Sequence, residues 1–178
     1  WIQPASGDSG NALGAPLYYY YNVLGNERSL ESPDSMQGAY LGPKFTDEQI
    51  KNFLDSQDAN YQHCNEEELL ELTADKIANG QVVGWFQGRM EFGPRALGHR
   101  SILGDPRSPK MQTKMNMKIK FRESFRPFAP CVLEDDVAEY FDLSSPSPYM
   151  LLVSQVRDKY LKNIEAQEDL DIHEKVKL

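Results

Sequence analysis

The stretch from residue 81 to residue 101 constrains the fold of this chain more than any other, because a short apolar run is followed by a stiff, charged turn. Residues 81–86 read QVVGWF and residues 91–101 read EFGPRALGHRS. The first run is short, β-branched and aromatic, which predicts a buried strand. The second places two glycines and a proline around Arg95 and Arg100, and these residues restrict the backbone to turn conformations. We therefore expect both arginines to be held in fixed positions just past the end of a strand.

The charge of the chain is divided very unevenly. Residues 88–126 hold ten Lys or Arg and three Asp or Glu, a net charge of +7, whereas the whole chain has a formal charge of −8, which leaves −15 for the remainder. A basic segment in an acidic chain favours a local anionic ligand over general attraction to nucleic acid or to an anionic membrane, because the rest of the surface would repel both. A solvated face with ion pairs to the acidic remainder is the alternative.

Helix start and stop signals precede the apolar run. Thr46 with Gln49, and Asn65 with Glu68, match the capping pattern that predicts helices beginning at about residues 46 and 65. Gly80 supplies the stop before the strand. Upstream, the stretch GDSGNALGA at 7–15 indicates a loop that enters a helix, and the Gly, Pro and Ser content of residues 25–45 indicates a connection between structural units.

Helix and strand patterns alternate again after residue 107. A helix starting near Ser108 places Met111, Met115 and Ile119 four apart on one face, and we expect the two methionines to face the core. Strands are predicted over 127–133, where two prolines favour an edge, and over 148–156, with a short helix over 134–141 between them. This alternation favours the α/β fold class.

The two basic segments, 91–101 and 118–130, are separated by one predicted helix and could fold together. Arginines held among aromatic residues and prolines offer bidentate hydrogen bonds to phosphate or carboxylate, which suits a phosphate-rich small molecule. Glu91 and Glu123 are expected to orient these arginines rather than to act as an acid and a base. His99 is expected to be structural, since it is a lone histidine.

Other residue types carry weaker signals. Asp8 is expected to cap the first helix, with metal binding as the alternative. The three histidines show no spacing typical of a metal site, and the two cysteines are too few for a disulfide framework, which favours a reducing, cytoplasmic setting. No apolar run is long enough to predict a membrane span.

Three motifs in order carry a resemblance to a known family: GDSGNALGA at 7–15, VVGWFQGRMEFGPRALGHRSILGDPR at 82–107 and KFRESFRPFAP at 120–130. Together they closely resemble the O-carbamoyltransferases, a family that includes the nodulation carbamoyltransferase and antibiotic-tailoring enzymes. The resemblance runs from about residue 3 to about residue 157. It implies an α/β protein in which residues 1–43 are the tail of a Kae1-like lobe of the actin/Hsp70-like ATPase superfamily, residues 44–75 a helical linker, and residues 76–178 the first part of a YrdC-like lobe with a twisted open sheet and flanking helices.

The resemblance also implies a chemistry and a set of residues. In the family, ATP with Mg²⁺ and carbamoyl phosphate give carbamoyl adenylate, and the carbamoyl group passes to a hydroxyl of a small-molecule or oligosaccharide acceptor. By motif match Arg95 and Lys120 are the expected catalytic residues. The expected contacts to carbamoyl phosphate and ATP are Arg95, Arg100, Lys120 and Arg126, with Ser101 and Arg122 as helpers. Asp8 matches a ligand of Fe²⁺ in the Kae1-like lobe.

The sequence departs from the family in extent. The histidines that accompany Asp8 in the family are expected upstream of residue 1, and further motifs of the YrdC-like lobe beyond residue 178, so the chain alone is expected to be inactive. Two other hypotheses stay open. The first is a YrdC-like module that binds RNA or takes part in tRNA modification, and the acidic remainder of the chain argues against it. The second is that the basic segment serves only as an interface between two lobes. A homodimer is compatible with the sequence, and no membrane partner is expected.

Overall fold

Helices and short strands alternate along residues 3–30 and 34–161, the part of the chain that the computed structural model describes. The regular elements are α1 (Asp8–Tyr18), α2 (Asp47–Ser56), α3 (Glu66–Ala78), β1 (Val83–Phe86), β2 (Arg100–Leu103), α4 (Met111–Met115) and α5 (Val137–Tyr140). Two π-helical turns, Tyr19–Val23 and Asn116–Lys120, continue α1 and α4. This mixture of helix and strand is compatible with the α/β class.

The chain forms two compact units, and neither is continuous in sequence. The first comprises the described residues of Trp1–Asp75, Val83–Leu103 and Ser147–Leu151. The second comprises those of Lys76–Val82, Gly104–Pro146 and Leu152–Leu178. The division into residues 1–43, 44–75 and 76–178 stays a prediction.

The first helix begins inside the glycine-rich stretch, as predicted. Gly7 is its N-cap residue, and no side chain caps it. Asp8 is therefore the first helical residue, exposed to solvent, and the prediction that it caps the helix is wrong because it lies one position too late. Its negative charge still lies at the positive end of the helix dipole.

Both predicted capping boxes are present. Thr46 Oγ1 accepts a hydrogen bond from the backbone N–H of Gln49, whose side chain accepts one from the N–H of Thr46. Asn65 and Glu68 exchange the same pair of hydrogen bonds at 3.0 Å each, and α3 starts between them. Gly80, with φ of +75°, follows the end of α3 as predicted.

The predicted strand pairs with the residues that follow the stiff turn. β1 and β2 are antiparallel, with Phe86 opposite Arg100 and Val83 opposite Leu103, so residues 87–99 form the connection between them. The strand predicted within residues 81–86 is present and begins at Val83. The prediction that it is buried is wrong, because Gly84 and Phe86 are exposed and Trp85 is half-buried. Since the described sheet has only two strands, one face stays open.

The second unit has a small methionine core. Met111 and Met115 are each 5% exposed, as predicted, and they pack against Gly104, where a Cβ atom would lie 2.7 Å from the Met115 sulfur. Ile119, which the spacing places on the same face, is 42% exposed. The reason is the π-helical turn, whose wider winding moves Ile119 off the face that the two methionines share.

Two predicted strands do not form among the described residues. Residues 127–133 are irregular, because Pro127 and Pro130 lack the N–H donors that a strand ladder needs. Residues 148–156 contribute a single bridge, from Val156 to Phe141, and Met150 interrupts the run with φ of +56°. The helical pattern over 134–141 is confirmed as a 3-10 turn followed by α5.

Candidate functional site

One buried carboxylate holds the connection between β1 and β2 in shape. Glu91 is only 7% exposed, and its Oε1 accepts hydrogen bonds from three backbone N–H groups: Leu97 at 2.9 Å, His99 at 2.7 Å and Arg100 at 3.0 Å. Burial raises the pKa of the Glu91 carboxyl, but these hydrogen bonds outweigh burial and hold the pKa below its ordinary value. Glu91 therefore orients the loop that carries the arginines, as predicted. Its carboxylate does so by binding backbone N–H groups of the loop and not by binding a guanidinium.

An aromatic stack fixes the same loop from a second side. The rings of Tyr40 and His99 are parallel within 11°, with their centroids 3.7 Å apart, and the Tyr40 hydroxyl donates to the carbonyl of Leu97. His99 Nδ1 lies 2.7 Å from the carbonyl of Arg89 and donates to it, which fixes the tautomer. A Cβ atom at Gly88 would lie 3.0 Å from the imidazole, so a glycine keeps room for the ring. His99 is structural, as predicted.

Arg95 lies at the edge of a cavity in the first unit. The cavity has a volume of about 240 Å³ and is lined by Pro4, Ala5, Ser6, Gly7, Ala39, Phe92, Pro94, Arg95, Leu97, Tyr149 and Leu151. Within residues 3–30 and 34–161, the exposed Arg95 side chain makes no hydrogen bond or ion pair, so its five N–H donors remain available. The walls of the cavity are largely apolar, and an apolar environment strengthens the attraction between Arg95 and an anion bound beside it.

Arg100 is held more firmly, and only part of its donor capacity is used. Its Cζ lies 3.4 Å from the centroid of the Phe86 ring across the strand pair. Nη1 donates to the carbonyls of Gln87 and His99, and Nη2 donates to the carbonyl of Gly88. The Nε–H and the second Nη2–H point along the other edge of the guanidinium and have no partner among the described residues. This edge has the geometry that binds carboxylate or phosphate in a bidentate way.

Ser101 follows in β2, opposite Trp85. It is half-buried, and its hydroxyl oxygen accepts a hydrogen bond of 3.0 Å from the backbone N–H of Gly98. The hydroxyl proton stays free to be donated to another acceptor. Ser101 thus closes the same loop that Glu91 anchors.

The remaining predicted contacts lie in the second unit. Arg122 Nε donates to the side-chain oxygen of Asn116 at 2.6 Å, and its Cζ lies 4.9 Å from the centroid of the Phe128 ring. Arg126 Nε donates to Glu123 at 2.8 Å, which confirms that this carboxylate orients an arginine. Both partners of that pair are about half exposed, so solvent screens the pair and it adds little to the stability of the fold.

Lys120 ends the π-helical turn that follows α4. The next residue, Phe121, has left-handed backbone angles with φ of +50°, which ends the helix there. The Lys120 side chain is exposed, and its ammonium group contacts no carboxylate in the described part of the chain. It is therefore available as a point charge.

The predicted site residues fall into two groups. Arg95, Arg100 and Ser101 lie in the first unit, on the β1–β2 connection and on β2, whereas Lys120, Arg122 and Arg126 lie in the second. Hydrogen bonds hold Arg100 and Ser101 in the first group and Arg122 and Arg126 in the second, whereas the side chains of Arg95 and Lys120 make none to the described residues. That the two groups line opposite walls of one pocket stays a prediction.

Asp8 does not form a metal site with other described residues. No group of three or more His, Cys, Asp or Glu side chains among residues 3–30 and 34–161 is arranged to hold a metal ion. A single exposed carboxylate is too small a donor set for Fe²⁺. That Asp8 ligates Fe²⁺ together with histidines outside this chain stays a prediction.

Sequence reasoning missed Asn116, the residue that organises the second group. It is fully buried, at 0% exposure, and its amide contacts three residues of the 122–126 segment. Asparagine is a poor helix former, so its place between Met115 and Met117 in a predicted helix was the available signal.

Comparison with known proteins places these residues in a family context. A family model described as Carbamoyltransferase C-terminus matches residues 74–177. An uncharacterized protein of Synechocystis sp. is 56% identical over 161 residues, covering 89% of this chain and 26% of that protein. Nodulation protein NolO of Bradyrhizobium diazoefficiens is 40% identical over 163 residues, covering 89% and 29%. Nodulation protein U of Rhizobium tropici is 37% identical over 174 residues, covering 96% and 27%.

The chain thus spans between a quarter and a third of the length of these relatives. Among the described residues, no helix combines the length and the apolar character needed to cross a membrane.

Proposed function

This chain belongs to the carbamoyltransferase C-terminus family, and from that premise we propose that it is the part of an ATP-dependent O-carbamoyltransferase that binds carbamoyl phosphate and ATP. The match to the Carbamoyltransferase C-terminus model, together with the nodulation relatives, supports a transferase. The ATP-dependent step, the acceptor and the residue roles are our proposal. We also propose the finer architecture: a Kae1-like tail over 1–43, a helical linker over 44–75, and the first part of a YrdC-like lobe over 76–178.

One observation supports the proposal: three cationic side chains keep donors that no described residue uses, and one of them, Arg100, is held in place by its other hydrogen bonds. Arg95 has all its donors available, Arg100 offers the Nε and Nη2 edge, and Lys120 is unpaired within the described residues. Cations with unused donors suit a ligand that brings several negative charges, as ATP and carbamoyl phosphate do, and Arg100 is already oriented for one.

The proposed reaction consumes one water. Water bonds to the phosphorus of carbamoyl phosphate as the bond from that phosphorus to the carbamoyl oxygen breaks, which gives phosphate and carbamate. A carbamate oxygen then bonds to the α-phosphorus of ATP as the bond from that phosphorus to pyrophosphate breaks, which gives carbamoyl adenylate and pyrophosphate. The acceptor hydroxyl oxygen then bonds to the carbamoyl carbon, AMP leaves with the bonding electrons, and the hydroxyl proton passes to solvent. Mg²⁺ would arrive with ATP and share the phosphate charge. Arg95, Arg100, Lys120 and Arg126 would stabilise the charge on the phosphoryl oxygens, with Ser101 and Arg122 assisting.

The test uses the full-length protein that contains this chain. Arg95→Ala and Lys120→Ala should each lower carbamoyl-phosphate-dependent release of pyrophosphate from ATP. Loss of one hydrogen bond to a charged group costs roughly 1.5 to 3 kcal/mol, so kcat/KM should fall by about 10- to 150-fold. Lys51→Ala is the matched control, because this exposed lysine of α2 pairs only with Asp55, and it should leave the rate unchanged. Normal rates for both active-site variants would refute the site assignment.

A further inference from the structure

Asn116 is a fully buried polar residue whose side chain uses all of its hydrogen-bonding groups. Its Nδ2 donates to the carbonyl of Ser124 at 3.0 Å and to the carbonyl of Arg126 at 2.8 Å. Its Oδ1 accepts from Arg122 Nε at 2.6 Å, and its backbone carbonyl accepts from the Arg122 N–H. Two carbonyl acceptors on one side and a guanidinium donor on the other fix the amide orientation, and only a side chain with both donors and an acceptor satisfies all three.

This arrangement determines which edge of Arg122 faces outward. Asn116 occupies Nε, and the Phe128 ring lies against the guanidinium with its centroid 4.9 Å from Cζ. The Nη1 and Nη2 groups make no hydrogen bond to the described residues, although the pKa of the neighbouring Glu123 carboxyl, lowered chiefly by a backbone hydrogen bond, is lowered further by the positive charge of Arg122. Arg122 is therefore presented as a fork of two parallel donors, the geometry that matches two oxygens of a phosphate.

A second amide holds the same segment from the same face of the helix. Gln112, four residues before Asn116, donates to the carbonyls of Phe125 at 3.3 Å and Arg126 at 3.1 Å. Residues four apart lie on one side of a helical turn, so α4 and the turn after it grip the 122–126 segment twice. Gln112 is exposed, Asn116 is buried, and only Asn116 contacts the Arg122 side chain. A substitution at Gln112 therefore loosens the segment without changing the hydrogen bond that orients Arg122.

We propose that Asn116 is a positioning residue that aims the Arg122 fork at a phosphoryl group of the substrate. This rests on the proposed function, since the phosphoryl group is that of carbamoyl phosphate or ATP. Asn116 itself is fully buried and acts through Arg122 and the backbone of the 122–126 segment. Without its Oδ1, Arg122 Nε would turn to another acceptor and the fork would no longer be fixed.

The experiment measures pyrophosphate release by the full-length protein with each substrate varied in turn. Asn116→Ala should raise the KM of one substrate at least tenfold, and the substrate affected identifies whose phosphoryl group Arg122 binds. Gln112→Ala, the matched control, should raise it by less than threefold. In an Arg122→Ala background, Asn116→Ala should add clearly less than the change it causes alone, because the part of its effect that passes through Arg122 is already lost. An unchanged KM for Asn116→Ala, or fully additive effects, would overturn the assignment.

A second variant tests the same idea without disturbing the buried amide. Arg122→Lys keeps the charge but loses both the Nε–H that Asn116 holds and the planar fork. Its KM should rise nearly as much as that of Arg122→Ala. If the lysine variant matched the wild type, a point charge would suffice and positioning by Asn116 would be refuted. A wild-type protein that released no pyrophosphate would instead overturn the proposed function, and this assignment with it.

Discussion

Glu91 offers the sharpest test of how the arginine-bearing loop is built. Its Oε1 is the common acceptor for the N–H groups of Leu97, His99 and Arg100, and Glu91→Ala removes that acceptor from all three at once. Hydrogen bonds to a charged group contribute roughly 1.5 to 3 kcal/mol each, but three donors that share one oxygen are not additive. We expect the local free energy of opening to fall by about 3 kcal/mol for Glu91→Ala and by about 1 to 2 kcal/mol for Glu91→Gln, which keeps a neutral acceptor.

Backbone amide hydrogen exchange over residues 96–101 measures this directly. A loss of about 3 kcal/mol corresponds to exchange that is about 150-fold faster in that segment, while the capped helices α2 and α3 should keep their wild-type rates. Glu67→Gln, on the exposed first turn of α3, is the matched control and should change nothing in this loop. Unchanged exchange over 96–101 in Glu91→Ala would show that the Tyr40–His99 stack holds the loop alone, and would refute the reasoning.

The same carboxylate predicts a pH dependence. Because the pKa of Glu91 in the folded protein lies below its ordinary value, its contribution to stability is fully present above the ordinary glutamate pKa. It is lost as the pH falls through the folded-state pKa. Wild type and Glu91→Gln should therefore differ in local stability at neutral pH and converge in acid. A difference that persisted in strong acid would mean that the shape of the side chain, and not its charge, matters.

Two further substitutions test packing and capping. Gly42→Ala would place a Cβ atom 2.8 Å from both the Cβ and the carbonyl oxygen of Met90, so it should destabilise the protein by about 1 to 3 kcal/mol in urea unfolding, and no loss would show that the backbone can shift freely. Thr46→Ala removes the side-chain acceptor for the Gln49 N–H and should cost about 1 kcal/mol, with faster amide exchange confined to the first turn of α2.

The elements that could be predicted from the sequence are those defined by local contacts. The capping boxes at Thr46 and Asn65 join residues three apart, so the sequence pattern contains the whole interaction. Gly80 ends α3 for a similarly local reason. The strands expected over 127–133 and 148–156 failed because a strand needs a partner elsewhere in the chain, and no local pattern supplies one.

The arginines could be identified from the motifs and the charge pattern, but the orientation of their guanidinium groups could not be predicted. Arg100 is aligned by the Phe86 ring across the strand pair, and this contact depends on the register of β1 with β2. Arg122 is aligned by Asn116, which lies in a π-helical turn that apolar spacing treats as ordinary α-helix. In both cases the orienting group is distant in sequence or hidden by a change in helical winding.

A common physical logic links the two groups of cations. Each group contains one buried polar residue, Glu91 in the first and Asn116 in the second. Its side chain forms hydrogen bonds mainly with the backbone of a loop, and guanidinium donors nearby remain unused. Burying an arginine against a carboxylate would fix it equally well but would neutralise the charge that a phosphate needs. The chain instead fixes the loops and leaves most of the cations without a carboxylate bound to them in the described residues; Arg126, which pairs with Glu123, is the exception. Substituting an orienting residue should therefore weaken substrate binding without removing any positive charge, whereas substituting Arg95 or Lys120 removes the charge itself.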